Sequence, residues 1–264
     1  MNVESVFAAC RAEGRGTLVG YLPVGYPTVD GSVELLSALV EGGCDLLEVG
    51  IPYSDPVMDG PTIQAAADTA LRAGTRLRDV FAVVERVGAA GGRAVVMTYV
   101  NPVLRYGVDA FARDLAAAGG LGMITPDLIP DEADEWLAAS DAHGLDRIFL
   151  VAPSSSEERI AATARASRGF LYAASTMGVT GARDAVASAA PALVERCRRH
   201  AALPIGVGLG VRSADQAAEV AGFADGVIVG SAFVTAAERG GAAGVRDLAA
   251  ELASGVRRAP LPAT

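Results

Sequence analysis

The stretch DLLEVGIPYSDPVMDGPTIQAAADTALRAG, residues 45–74, contains the unit that the rest of the chain repeats. It opens on the apolar run DLLEVGI (45–51), crosses a loop rich in Pro, Asp and Gly, and continues into a segment of helical period. The run is continuous, not alternating, as expected of a strand covered on both faces in a parallel sheet. Seven further runs share this character: TLVGYL (17–22), RAVVMTYV (93–100), LGMIT (121–125), RIFLV (147–151), GFLYAA (169–174), PIGVG (204–208) and GVIVG (226–230). Helical periods fill the intervals at 33–43, 108–120, 131–144, 156–166, 192–201 and 213–222, several of them closed by glycine. Strands and helices alternate with no linker and no break in composition. The pattern predicts an α/β fold, a single closed (β/α)8 barrel over residues 1–264, in preference to a doubly wound open sheet. Extra helices are expected before strand one (SVFAACRAEG, 5–14), after strand two (62–74 and 77–88) and after strand eight (SAFVTAAERG, 231–240).

The composition supports a well-cored protein and removes several chemistries. Of the 264 residues, 51% are hydrophobic and only 20% charged, which excludes a disordered chain. Every one of the 22 basic residues is Arg. Without Lys there is no Schiff base to a carbonyl substrate, no internal aldimine for pyridoxal phosphate and no Walker-type lysine. A net charge of −9 argues against nucleic acid and anionic membrane as partners. Cys10, Cys44 and Cys197 are far apart and odd in number, so they read as reduced core thiols, not as disulfides or a zinc site. No signal peptide and no membrane-spanning run is visible, and a cytoplasmic location is expected.

In a barrel of this kind function resides at the carboxyl ends of the strands and in the loops that follow. Gly208 and Gly210 after strand seven, and Gly230 and Ser231 after strand eight, occupy the two loops where barrels most often hold phosphate on backbone N–H groups and a helix N-terminus. Each glycine alone is better explained by a turn that needs positive φ, and it is the clusters at the two loops together that point to phosphate. Glu48 lies inside an apolar strand, where a carboxylate is costly unless paired or protonated. Desolvation there raises its pKa toward the range of proton transfer near neutrality, and pairing with a buried Arg is the competing explanation. Asp59, a few residues on, completes a separated pair of carboxylates, although Asp55 and Asp59 also suit ordinary turns. His143 and His200 fall at predicted helix ends, away from any strand terminus, and read as surface residues. Clustered-His metal catalysis is therefore set aside, and no metal site is expected. Ser154, Ser155 and Ser156 have no His partner and read as a helix start.

The motifs LLEVGIPYSDPVMDGPTIQ, MTYVNPVLRYG, ITPDLIP, STMGVTGAR, VGLGVRS and VIVGSAFV together resemble the tryptophan synthase alpha chain family, in order and over nearly the whole chain. The resemblance implies a lyase that splits indole-3-glycerol phosphate into indole and glyceraldehyde 3-phosphate by a retro-aldol reaction, without metal or lysine. It implies Glu48 as the acid/base, and Asp59 as acceptor of the indole N–H. Phosphate would lie on Gly181, Gly210, Gly230 and Ser231, and Tyr21, Tyr172, Thr180 and Leu209 would shape the substrate pocket. It further implies an α2β2 complex with a beta chain that holds pyridoxal phosphate, contacted through Asp55, Pro56, Asn101 and Pro130. Tyr26 stands where the family pattern has Asp, Pro23 where it has Thr, and Thr176 where Arg is common. The competing functions are another phosphate-binding barrel isomerase or decarboxylase, a free-standing indole-releasing lyase, and a non-catalytic barrel that binds a phosphate metabolite and regulates a partner.

Overall fold

The computed structural model describes residues 1–174 and 183–260. Eight parallel strands, β1 (Thr17–Pro23), β2 (Leu46–Gly50), β3 (Ala94–Met97), β4 (Gly122–Thr125), β5 (Asp146–Val151), β6 (Leu171–Ala174), β7 (Ile205–Gly208) and β8 (Gly226–Val229), pair in chain order, and β8 closes onto β1. The closed barrel expected from the eight apolar runs is therefore the observed fold. Around it lie α1 (Val3–Ala12), α2 (Val29–Glu41), α3 (Pro61–Arg72), α4 (Asp79–Ala89), α5 (Val100–Tyr106), α6 (Val108–Ala117), α7 (Asp134–His143), α8 (Glu157–Ala166), α9 (Arg183–Arg198), α10 (Ala214–Ala221) and α11 (Ser231–Arg258).

The boundaries follow local chemistry. Thr28 caps α2, its side chain accepting from the Gly31 amide, so the helix starts earlier than its apolar period suggests. The run 93–100 is shorter as a strand than its hydrophobicity implies. Val100 already opens α5, whose early proline, Pro102, replaces an amide that has no partner in the first turn. The segment 131–144 divides into a 3-10 turn at Pro130–Glu132 and α7, which Gly144 ends in the left-handed region at φ 67°. Ser156 caps α8 by accepting from Arg159, the role assigned to the serine triplet. α9 runs through Pro191 instead of beginning after it. The extra helix after strand eight is residues 231–240, because Gly241, at φ 56° and ψ −146°, breaks α11 in two.

Strand alternation sorts the core into two shells. Leu47, Val49, Val96, Val207 and Val227 point outward against the helices. Val19, Leu46, Val95, Ile124, Ile148, Phe170, Tyr172 and Ile228 fill the bore. The bore is lined by glycine on one side and by aromatic rings on the other. A Cβ at Gly206 would stand 2.9 Å from the Phe170 ring, one at Gly208 2.6 Å from the Tyr172 hydroxyl, and one at Gly226 2.8 Å from Phe7. Each ring occupies the volume its facing glycine leaves free, which is how a small barrel reaches crystal-like packing density. Val3, Val6 and Phe7 of α1 join this inner cluster and plug the barrel floor, Phe7 lying 5.3 Å from Phe170 ring to ring. Asp146 anchors the plug by accepting from the Val3 amide at 2.7 Å. Cys10, Cys44 and Cys197 are buried free thiols. No helix among the described residues is long and apolar enough to cross a membrane.

The floor lies at the opposite end of the barrel from the strand carboxyl termini, so stability and substrate recognition separate there. Phe7→Ala is expected to cost about 3–5 kcal/mol, as buried Phe truncations do, read as a lower urea midpoint. The KM for substrate should stay within twofold (about) of the parent, since no mouth residue moves.

Candidate active site

Glu48 is the third residue of β2, with its Cα paired with Tyr21 on β1 and Val95 on β3. Strand parity turns it into the bore, one step toward the mouth from Leu46. It is 1% exposed, and its Oε1 has no hydrogen-bond partner among the described residues. No Arg pairs with it, which removes the structural alternative. Burial alone lifts its pKa to about 8. The group is therefore protonated in the closed-packed bore at neutral pH, yet close to the point at which it titrates.

Tyr21 stands beside it. Its ring lies over Gly50, where any Cβ would strike the hydroxyl. Burial first, then the charges of Asp59, Glu48 and Tyr99, hold the Tyr21 phenol well above its ordinary pKa. The Tyr172 phenol is raised in the same way, by burial and then by Glu48 and Tyr21. Both phenols stay neutral, and the two carboxyls and three tyrosines form one cluster at the mouth.

Asp59 reaches that cluster from the loop after β2. It is half-buried, and burial raises its pKa while a hydrogen bond from Tyr99 pulls the other way. The Tyr99 hydroxyl is fully used: it donates to Asp59 Oδ1 at 3.2 Å and accepts from the amides of Val57 at 3.2 Å and Met58 at 3.0 Å. Gln64 on α3 holds the same loop by donating to the Asp59 carbonyl at 2.7 Å. Tyr53 packs on Tyr99 with centroids 5.2 Å apart, and its hydroxyl accepts from Asn101 at 2.9 Å. Sequence reading missed Tyr99. Its signal was position alone, an aromatic inside the third apolar run and just past the end of β3.

The opposite side of the mouth carries the glycine loops. Gly230 precedes α11 without a side-chain cap, and the first turn contains no acid. The amides of Ser231 and Ala232 face an electropositive helix end with no intrahelical partner. Gly210 takes φ 72°, which a β-carbon would oppose. A Cβ at Gly230 would lie 3.3 Å from Tyr21 and 3.5 Å from Ile63, so this loop meets the carboxylate side directly. Gly208, grouped with Gly210 on sequence, faces Tyr172 inside the bore instead. Leu209 is half-buried beside it. Thr176, Thr180 and Gly181 lie outside the described residues. His143 is the last residue of α7 and His200 lies in the turn after α9, bonded to Asp109 and Glu157 respectively. Asp55 and Asn101 are exposed, Pro56 and Pro130 half-buried, on the segments after β2, β3 and β4, with Asn101 in α5 and Pro130 in the 3-10 turn. Tyr26, beyond β1, has its phenol pKa raised by burial first and then by Glu238 on α11.

A (β/α)8 barrel with an unpartnered buried carboxyl, a second carboxylate and a cationic helix end around one mouth defines an acid–base enzyme acting on a phosphorylated small molecule. Comparison with known proteins specifies which. The family model described as tryptophan synthase alpha chain matches residues 7–258. The tryptophan synthase alpha chain of Mycobacteroides abscessus is 70% identical over 258 residues, covering 98% of each chain, and that of Nocardia farcinica is 69% identical, covering 98% of this chain and 97% of its own. The structure of Mycobacterium tuberculosis tryptophan synthase superposes with a TM-score of 0.92 at 67% identity, over 97% of this chain and 98% of that one. The chain belongs to the tryptophan synthase alpha chain family. It is a carbon–carbon lyase that cleaves indole-3-glycerol phosphate, and neither the isomerase nor the regulatory-barrel reading is favoured.

The raised pKa of Glu48 has a cost in stability. Below about pH 4.5 the carboxyl is protonated folded and unfolded, and nothing is lost. Above it the unfolded chain ionises while the folded chain does not, so stability falls as pH rises toward 8. Glu48→Gln should stabilise the fold by on the order of 3 kcal/mol at pH 7 and by almost nothing at pH 4.5. Denaturant melts at the two pH values measure this; an equal effect at both would contradict it.

Proposed function

We propose that Glu48 and Asp59 perform the cleavage as an acid–base pair, with the substrate's phosphate held on the first turn of α11. The observation that carries this reading is the dry, unpartnered Glu48 carboxyl, which keeps a transferable proton near neutrality. In its acid form Glu48 gives that proton to C3 of the indole ring, leaving positive charge on the ring nitrogen. The ring becomes the electron sink. The Glu48 carboxylate then takes the proton of the hydroxyl on the adjoining side-chain carbon. As that carbon becomes an aldehyde, the electrons of its bond to C3 return to the ring. Indole and glyceraldehyde 3-phosphate form, and Glu48 is again the acid. Asp59 accepts the indole N–H and stabilises its transient charge, and Tyr99 fixes that carboxylate in place. Tyr21, Tyr172 and Leu209 wall the ring, while Gly210, Gly230 and Ser231 hold the phosphate through amides. Thr180 and Gly181 take their family roles in substrate and phosphate binding.

The barrel uses no cofactor of its own in this reaction; pyridoxal phosphate belongs to the partner, a tryptophan synthase beta chain. An α2β2 assembly is supported by where apolar surface is exposed. Val57 (76%), Met58, Leu104 (55%), Tyr106 and Ile129 are large exposed hydrophobics, all on the segments after β2, β3 and β4. Asp55, Pro56, Asn101 and Pro130 share those segments, so one face presents both the apolar patch and the family's contact residues. A cytoplasmic location accompanies this biosynthetic role.

Glu48→Gln and Asp59→Asn are each expected to lower kcat for indole release about 10³-fold or more, with far-UV CD unchanged. Parent-like turnover in either would refute the assignment. In the parent, kcat/KM should fall as pH rises past about 8, where Glu48 loses the proton it must donate.

The Tyr99 bond lowers the Asp59 pKa. Tyr99→Phe should therefore move the acidic limb of the kcat/KM profile to higher pH, and lower kcat about tenfold. A fall in rate with no shift of that limb would mean that Tyr99 merely holds the loop.

A further inference from the structure

A cavity of about 630 Å3 opens beside the phosphate-binding turn, lined by Ser231, Ala232, Thr235, Ala236 and Arg239 of α11, by Thr62 of α3 and by Arg212 of the loop after β7. Its far wall is the second half of α11. The break at Gly241 folds that half back, so that a Cβ at Gly244 would lie 2.9 Å from the Ala236 carbonyl. None of the lining residues is acidic. Arg212 and Arg239 are exposed, and neither enters an ion pair among the described residues, where most other arginines do. The neighbouring acids are turned elsewhere. Glu238 lies toward Tyr26, Asp215 pairs with Arg258, and Glu251 accepts from the Ala214 amide. Two helix N-termini also meet here. α3 and α11 both begin without a side-chain cap and without an acid in the first turn. In a chain of net charge −9, this cavity holds only positive charge.

Resting on the phosphate site proposed above, we infer that Arg212 and Arg239 are the cationic counter-charges of that site. They draw the substrate's phosphate dianion in through this cavity and select phosphorylated over unphosphorylated indole-glycerol. Backbone amides orient a phosphate but carry no net charge. With no lysine in the chain, the full positive charges must be guanidinium groups, and these two line the same cavity as Ser231. Exposure makes them attract through solvent, so their effect appears in capture of substrate and is sensitive to salt.

Steady-state cleavage of indole-3-glycerol phosphate by the alpha–beta complex tests this, with Arg212→Gln, Arg239→Gln, the double variant, and the corresponding Lys variants. The double variant should raise KM about tenfold at low salt with kcat unchanged, and flatten the fall of kcat/KM with added salt. Inhibition by inorganic phosphate should weaken in parallel. Cleavage of the unphosphorylated substrate should be unaffected, and the Lys variants should recover most of the lost affinity. Gly230→Asp, which places a carboxylate at the helix end itself, separates the two readings. If the Arg variants keep the parent KM and salt dependence while Gly230→Asp raises KM, the arginine assignment is overturned and the phosphate site stands. If Gly230→Asp also binds substrate normally, the phosphate site itself is overturned.

Discussion

A carboxyl group enclosed in the bore of a parallel barrel with no hydrogen-bond partner is the constraint to which the rest of the mouth conforms. Such a group is tolerated only when neutral, and it stays neutral only where water and cations are kept away. Leu46 below it, Val95 across from it and the rings of Tyr21 and Tyr172 around it provide that dryness. The glycines at 50 and 208 are the corollary, since each leaves the volume that one of those rings fills. In the role proposed for Glu48, catalysis opposes stability at one carboxyl group, and the closed, densely packed barrel is what tolerates the opposition.

The site is polarised across the bore. Carboxyls enter from β2 and its loop, whereas the electropositive helix end and the positive-φ glycine enter from the loops after β7 and β8. Because β8 closes onto β1, these two sides touch at Gly230 and Tyr21. A substrate with a protonatable ring at one end and a dianion at the other has only one favourable orientation in that field. The missing lysines fit the same picture: in the proposed mechanism the substrate's own ring is the electron sink, so no amine is needed in the bore.

The eight continuous apolar runs made the barrel legible, because strands buried on both faces leave no other pattern in a chain. The helix before strand one was legible too, from the segment at 5–14, and in the fold it plugs the floor. What hydropathy could not show was where a strand stops being a strand. The run 93–100 stays apolar through Val100, yet the chain turns helical there, since a short helix bordering the core needs the same residue types. The helical period at 192–201 fell short in the other direction, for α9 begins at Arg183 and runs through Pro191. Glu48 stood out as an acid in an apolar strand, and so did Asp59 in its loop. Tyr99 did not, because its importance is a three-way hydrogen bond between segments distant in sequence. The arginines at 212 and 239 look like any exposed charge until the fold sets them beside the same cavity.

The Tyr99 hydroxyl has one proton and two lone pairs, and all three are committed, one to a carboxylate and two to the backbone of the loop that carries it. Movement of that loop therefore cannot leave the proton affinity of Asp59 untouched. Asn101 and Tyr53, at the exposed edge of the same aromatic stack, extend the connection to the surface. Thermodynamic reciprocity then applies. Whatever a docked protein does to the acidity of this carboxylate, the charge on the carboxylate does to the grip of that protein, and by the same free energy.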